Sequence, residues 1–283
     1  MKLVRFGAAG SEKPGMLDSS GKIRDLSGVI KDLTPEHLSP AGLKKLAALK
    51  VNDLPIAAGT PRLGVPYTGI GKIVAIGLNY SDHAAEVGAK IPTEPVIFMK
   101  ATSSLTGPND AVTLPKTSEK TDWEVELAIV IGSEVRYVEK SKALDCVAGY
   151  TICNDVSERA FQTERGGQWT KGKSCDTFAP VGPFVATRDE IADVQKLKMF
   201  TDVNGERMQD SSTANMIFPV DFIIHYLSQF MSLQPGDLII TGTPAGVGLG
   251  KKPNPRFLKA GDTMKLGVEG LGEQTQKLVA FGK

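Results

Sequence analysis

Two carboxylates, Glu124 and Glu126, open the run Thr121-Asp122-Trp123-Glu124-Val125-Glu126-Leu127-Ala128-Ile129-Val130-Ile131-Gly132, which then turns wholly apolar. Side chains alternate along a strand, so Glu124, Glu126, Ala128 and Val130 fall on one face and Val125, Leu127, Ile129 and Ile131 on the other. Both faces are apolar beyond Glu126, the pattern of an interior strand. Two like charges about 5 Å apart repel by roughly 3 kcal/mol at an effective dielectric near 20, and removal from water adds to that cost. A bound cation reverses the sign. A third acid, Asp155, closes a second β-rich stretch, Ala148-Gly149-Tyr150-Thr151-Ile152-Cys153-Asn154-Asp155-Val156. Three carboxylates with no His or Cys beside them are hard oxygen donors, better suited to Mg²⁺, Mn²⁺ or Ca²⁺ than to Zn²⁺. Mg²⁺ is the first choice. The plain alternative leaves Glu124 and Glu126 on a solvated strand end, each with an ordinary Lys or Arg partner.

A base candidate sits in Asn79-Tyr80-Ser81-Asp82-His83-Ala84-Ala85-Glu86-Val87-Gly88. His83 and Glu86 are three apart, so a short helix would put them on one face. The carboxylate would then orient the imidazole and stabilise its charged form, leaving the other nitrogen to take a proton from water. A lone His near a Glu also serves purely structural ends. His37 and His225 are weaker candidates. Downstream of Asp155, the residues Arg159, Gln162 and Lys173 flank a Gly-Gly turn. They could hold a substrate carboxylate or enolate beside the ion, or be solvated surface residues. The run Gly242-Thr243-Pro244-Ala245-Gly246-Val247-Gly248-Leu249-Gly250-Lys251-Lys252 has Ala245 and Lys252 where a Walker loop needs Gly and Ser or Thr. It reads as a glycine loop bringing backbone N–H groups, and the Thr243 hydroxyl, close to an anionic ligand. A plain surface loop fits the spacing nearly as well.

The elements that must position these groups follow from periodicity and breakers. Residues 1 to about 30 alternate short β segments with turns such as Ser19-Ser20-Gly21-Lys22. Thr34-Pro35-Glu36 and Ser39-Pro40-Ala41 each offer a capping hydroxyl followed by Pro at the first helical position. Pro55, Gly59, Pro61, Gly64, Pro66 and Gly69 form a breaker-rich connector. The domain boundary is placed there, giving a small domain over 1–70 and a larger one over 71–283. Strands are expected over Lys72–Leu78, Pro95–Lys100 and Leu238–Thr241, and a helix over Pro219–Phe230. Regular βαβ alternation is missing, which suggests an α+β fold with a mixed sheet.

Composition removes several classes of function. The 283 residues are 41% hydrophobic, with 33 Lys+Arg against 32 Asp+Glu and a formal charge of +1. That length supports a substantial core. With no basic run, the electrostatic footprint of a nucleic-acid binder is missing. No apolar run approaches the ~18 residues of a membrane span, and Met1–Gly7 reads as a strand and not as a leader, so a cytoplasmic location is the default. Cys146, Cys153 and Cys175 lack CxxC spacing and are read as reduced buried thiols.

Taken in order, the segments Gly77–His83, Phe98-Met99-Lys100, Trp123–Leu127, Asn154-Asp155-Val156-Ser157, Lys173-Ser174 and Thr241–Gly248 resemble the fumarylacetoacetate hydrolase family. The likeness covers roughly residues 70 to 280 and points to its shorter branch, the acylpyruvases and bacterial diketo sugar-acid hydrolases. Lys13-Pro14-Gly15 and Glu164–Lys173 look like bacterial members often labelled ureidoglycolate lyase. The resemblance implies a mixed β-sheet roll or sandwich preceded by a small α+β domain, and a homodimer. It implies Mg²⁺ or Mn²⁺ on Glu124, Glu126 and Asp155, a catalytic dyad of His83 and Glu86, and Lys173 beside the metal. Gln162 and Thr243 match positions lining the substrate pocket, with Arg159 beside them. Asp82 is a poor match for the fourth acidic ligand of the longer members, so fumarylacetoacetate itself is not the expected substrate. The implied reaction is hydrolysis of the C3–C4 bond of a 2,4-diketo acid to pyruvate and a second acid. The same site chemistry also serves lyases, decarboxylases and isomerases of related keto acids, and a keto-acid binding protein without turnover is the reading from another class.

Overall fold

The computed structural model describes residues 1–282. Strand Val125–Ile131 is buried along its whole length, as two apolar faces require. It lies inside a ten-stranded mixed sheet. From one edge the strands run Ile23–Asp25, Lys13–Leu17, Lys2–Phe6, Ala179–Thr187, Val147–Asn154, Val125–Ile131, Leu238–Ile240, Ile73–Gly77 and Val96–Lys100. Leu105–Thr106 joins Ala179–Thr187 as a parallel branch. Along the main path only Ile73–Gly77 and Leu238–Ile240 pair in parallel.

The alternation read from the sequence divides the molecule into two cores. Val125, Leu127, Ile129 and Ile131 face a second, five-stranded sheet, sharing a core with its Met199, Val203, Met264, Leu266 and Leu278. Ala128 and Val130 face the other way, onto Leu3, Met16, Leu26, Leu33, Leu38 and Leu46 of the N-terminal region. The architecture is therefore α+β: two stacked sheets, with the N-terminal helices on the back of the larger one. Strand Lys2–Phe6 pairs directly with Ala179–Thr187, so the sheet runs through the expected 70/71 boundary without a break.

Local signals place part of the larger sheet and its helices, but neither strand Ala179–Thr187 nor the five-stranded sheet is among the expected elements. Helices Pro35–Leu38 and Pro40–Ala47 begin after Thr34 and Ser39 with Pro at their first positions, and the Ser39 hydroxyl accepts the Gly42 N–H at 3.1 Å. The helix expected over Pro219–Phe230 ends sooner, as Val220–Leu227. Ser228 stops it: its hydroxyl donates to the His225 carbonyl at 2.7 Å and accepts the Val138 N–H. Its carbonyl accepts the Tyr137 N–H at 3.0 Å, so the backbone turns away to the neighbouring loop.

Candidate active site

Sheet register assembles the three acids. Asn154 stands opposite Val125, so Asp155, the next residue, reaches Glu124, and its N–H donates to the Glu124 carbonyl at 2.9 Å. Glu124, Glu126 and Asp155 are 5%, 1% and 0% exposed, which excludes a solvated strand end. One carboxylate oxygen from each lies within 4.8 Å of the others.

Cations surround two of the three. Lys173 Nζ is 2.8 Å from Glu124 Oε2 and 2.6 Å from Asp155 Oδ2. Lys100 Nζ is 2.6 Å from Asp155 Oδ1, and Arg159 Nη1 is 2.7 Å from Glu124 Oε1. Burial disfavours ionisation of Glu124, but the charges of Lys173 and Arg159 outweigh it and hold the carboxyl well below its usual range. Lys173 is shifted upward: burial opposes its charge, while Asp155 and Glu124 more than restore it. It is therefore a fixed cation and not a base. Among the described residues, Glu126 accepts only the Gly242 N–H, at 2.7 Å. Burial first, then repulsion by Asp155 and Glu124, pushes its proton affinity well above that of an ordinary carboxyl. An all-oxygen donor set that its own lysines leave undercompensated fits a hard divalent cation.

The base candidate opens on the same cavity. Strand Ile73–Gly77 feeds helix Ser81–Val87, which places His83 Nδ1 3.1 Å from Glu86 Oε2. The other carboxylate oxygen of Glu86 accepts the Gly246 N–H at 2.9 Å, so one side chain orients the imidazole and ties its helix to the glycine loop. His83, Gln162, Lys173, Thr243, Glu124 and Glu126 line one cavity, and Arg159 contributes to its wall. Asp82 points elsewhere, accepting the Ser211 hydroxyl at 2.6 Å.

The glycine loop binds anions, but they are the protein's own. Gly242 N–H goes to Glu126, Gly246 N–H to Glu86, and the Gly248 and Leu249 N–H groups to Asp122 at 2.6 and 3.0 Å. The Thr243 hydroxyl donates to the Val125 carbonyl at 3.0 Å and accepts from Gln209 at 2.8 Å. These bonds hold the loop against the acids, while Gly242 and Thr243 still line the cavity. Gly242 and Gly246 have φ of 93° and 106°, a region L side chains rarely adopt. At Gly246 a Cβ would also collide with the Met208 carbonyl.

Two residues without an assigned role in the sequence reading matter here. Lys100 is the second cation on Asp155. Asp122, fully buried, accepts Arg159 Nε at 2.9 Å as well as the two loop N–H groups. Asp122 begins the acidic run, but nothing in its spacing separates a loop anchor from a surface acid. Arg159 is accordingly spent on Asp122, Glu124 and the Gln162 side-chain oxygen, 3.1 Å from Nη1.

Comparison with known proteins agrees with the geometry. Residues 72–279 match the family described as Fumarylacetoacetate (FAA) hydrolase C-terminal. A Burkholderia orbicola (strain MC0-3) protein, provisionally named a hydrolase, is 56% identical over 277 residues, 98% of each chain. Among solved structures, fumarylacetoacetate hydrolase from Exiguobacterium antarcticum is 35% identical with TM-score 0.85, covering 99% of both chains. Maleylpyruvate hydrolase from Sphingobium sp. SYK-6 is 29% identical with TM-score 0.81, covering 99% of this chain and 100% of that one. The 2-hydroxyhepta-2,4-diene-1,7-dioate isomerase from Mycobacterium marinum is 33% identical with TM-score 0.73, covering 100% of both. With a family match across most of its length and relatives spanning nearly all of it, the chain belongs to the fumarylacetoacetate hydrolase family.

Proposed function

We propose that this protein is a divalent-metal-dependent hydrolase that cleaves the C3–C4 bond of a 2,4-diketo acid to give pyruvate and a second acid. The observation that carries this reading is the opening of Glu124, Glu126 and His83 onto one cavity, with Asp155 completing the acid trio behind its wall and Glu86 holding the imidazole. Glu124, Glu126 and Asp155 would hold Mg²⁺ or Mn²⁺. When bound, the ion supplies Lewis acidity toward the carboxylate and 2-keto oxygens of the substrate.

The rest of the chemistry falls to the chain. Glu86 holds His83 Nδ1, which leaves Nε2 to accept a proton from water as its oxygen adds to C4. The C3–C4 bond then breaks, its electron pair passing into the pyruvate enolate, and C3 takes up a proton. Negative charge grows on the substrate as the bond breaks, and the Lys173 ammonium, fixed between two carboxylates, stabilises it. A homodimer, supported by the sequence resemblance, belongs to the same proposal, and a cytoplasmic location is proposed with it.

The test follows the enol absorbance of an acylpyruvate together with pyruvate release. We expect turnover with Mg²⁺ that is abolished by EDTA and reduced about 10²–10⁴-fold by His83→Ala. Binding without turnover would favour a silent binding protein. The likeness to an isomerase supports a second reading, in which the same base moves a proton without breaking the carbon chain. Loss of a dienol signal with no pyruvate formed would select it.

A further inference from the structure

The cavity wall carries a charged cluster and a set of apolar side chains. Among its described lining residues Arg159 and Lys173 are the only Lys or Arg, and both are engaged by Asp122, Glu124 and Asp155. The remaining wall includes Val87, Phe98, Trp169 and Leu249. Trp169 meets Phe98 edge-on, with ring centroids 5.3 Å apart and planes at 63°. Its indole lies on Gly77, where a Cβ would collide with the ring. Phe98 stands beside the charged cluster, with Lys173 Nζ 5.2 Å from its ring centroid. Val87 and Leu249 are left 38% and 41% exposed, apolar surface that a ligand chain could cover.

We propose that Val87, Phe98, Trp169 and Leu249 form a subsite for an uncharged hydrocarbon group beyond C4. The protein would then select alkyl or aryl acylpyruvates over diacids and polyhydroxylated chains. This rests on the diketo-acid reading above and adds the class of substrate. A distal carboxylate would shed water with no free cation to receive it. Distal hydroxyls would find few open partners: the Thr163 hydroxyl donates to the Arg159 carbonyl at 2.9 Å, the Thr243 hydroxyl to the Val125 carbonyl, and the Gln162 oxygen accepts from Arg159, which leaves the Gln162 side-chain N–H groups as the open donors. Each buried methylene instead tightens binding about fourfold.

The experiment uses ligands that cannot be cleaved because they lack the C4 carbonyl. Mg²⁺-loaded protein is titrated with oxalate, pyruvate, 2-oxopentanoate, 2-oxoheptanoate and 2-oxoadipate, following tryptophan emission and heat. Trp169 and Trp123 are the two tryptophans of the chain, and Trp123 is fully buried. We expect affinity to climb along the alkyl series, and 2-oxoheptanoate to bind at least about tenfold more tightly than 2-oxoadipate. The emission change should vanish in Trp169→Phe. Trp169→Ala should erase the preference, and Leu249→Lys, on the rim where packing is light, should tighten 2-oxoadipate about tenfold. Equal or tighter binding of 2-oxoadipate by the native protein, or a preference that survives Trp169→Ala, overturns the subsite. Oxalate separates the two failures: if it binds while chain length has no effect, only the subsite is wrong. If no ligand binds, the diketo-acid reading falls as well and the subsite with it.

Discussion

Among the described residues, Lys173, Lys100 and Arg159 meet Asp155 and Glu124, whereas Glu126 makes no ion pair and rests on one backbone N–H. Its raised proton affinity follows from burial and from the two neighbouring charges, and it sets a sign for metal binding. A cation needs the ionised carboxylate, so metal and proton compete for Glu126 and affinity falls as pH is lowered. Titration of the metal-free protein with Mg²⁺ over a range of pH, in buffers of different ionisation enthalpy, should show protons released on binding, more of them as pH is lowered. Buffer-independent heats and a pH-flat affinity would count against this account. At this scale the acids were legible because two sit on adjacent positions of one strand face and the third ends the next strand. Lys100 and Asp122 were not, since their partners Asp155 and Arg159 lie 55 and 37 residues away and only the sheet register joins them.

The loop after strand Leu238–Ile240 and the helix Ser81–Val87 behave as a coupled pair of elements. Glu86 ties the helix to Gly246, and Asp122 ties Gly248, Leu249 and Arg159 together. Asp122→Asn removes the charge that two N–H groups and a guanidinium share, while Glu124 still pairs with Arg159. Denaturant unfolding of the metal-free protein should therefore show a loss of about 1.5–3 kcal/mol. Turnover should fall further than stability alone explains, because the Glu86 anchor on the same loop shifts with it. Stability unchanged within error would show that Asp122 is not the anchor. The helix was readable from the three-residue spacing of its dyad, and the interior strand from its two apolar faces. The loop was only half readable: its glycines signalled close backbone approach, but not which anions they approach.

For the whole molecule, the N-terminal region completes the sheet and does not merely precede it. Lys2–Phe6 covers the edge of Ala179–Thr187, and Arg62 pairs with both Glu12 and Asp110, at 2.8 and 2.5 Å, joining the two sides of the connector. Leu3, Met16, Leu26, Leu33, Leu38 and Leu46 are each at most 2% exposed. Burying six such side chains is worth roughly 10 kcal/mol or more, as much as the whole net stability of a typical domain. A chain starting at Gly71 should therefore aggregate or remain unfolded on expression; a soluble fragment with a cooperative thermal transition would contradict this. The connector's prolines and glycines were visible in sequence, yet sheet continuity was not, because pairing of Lys2 with Ala186 leaves no local periodicity. Among the described residues no helix is long and apolar enough to cross a membrane. The central claim is a divalent ion among Glu124, Glu126 and Asp155, and it is tested most directly by anomalous diffraction from crystals grown with Mn²⁺. The account predicts one strong peak bounded by these three carboxylates, lost in Glu126→Ala. Ordered carboxylates with no peak between them, at saturating Mn²⁺, would contradict it.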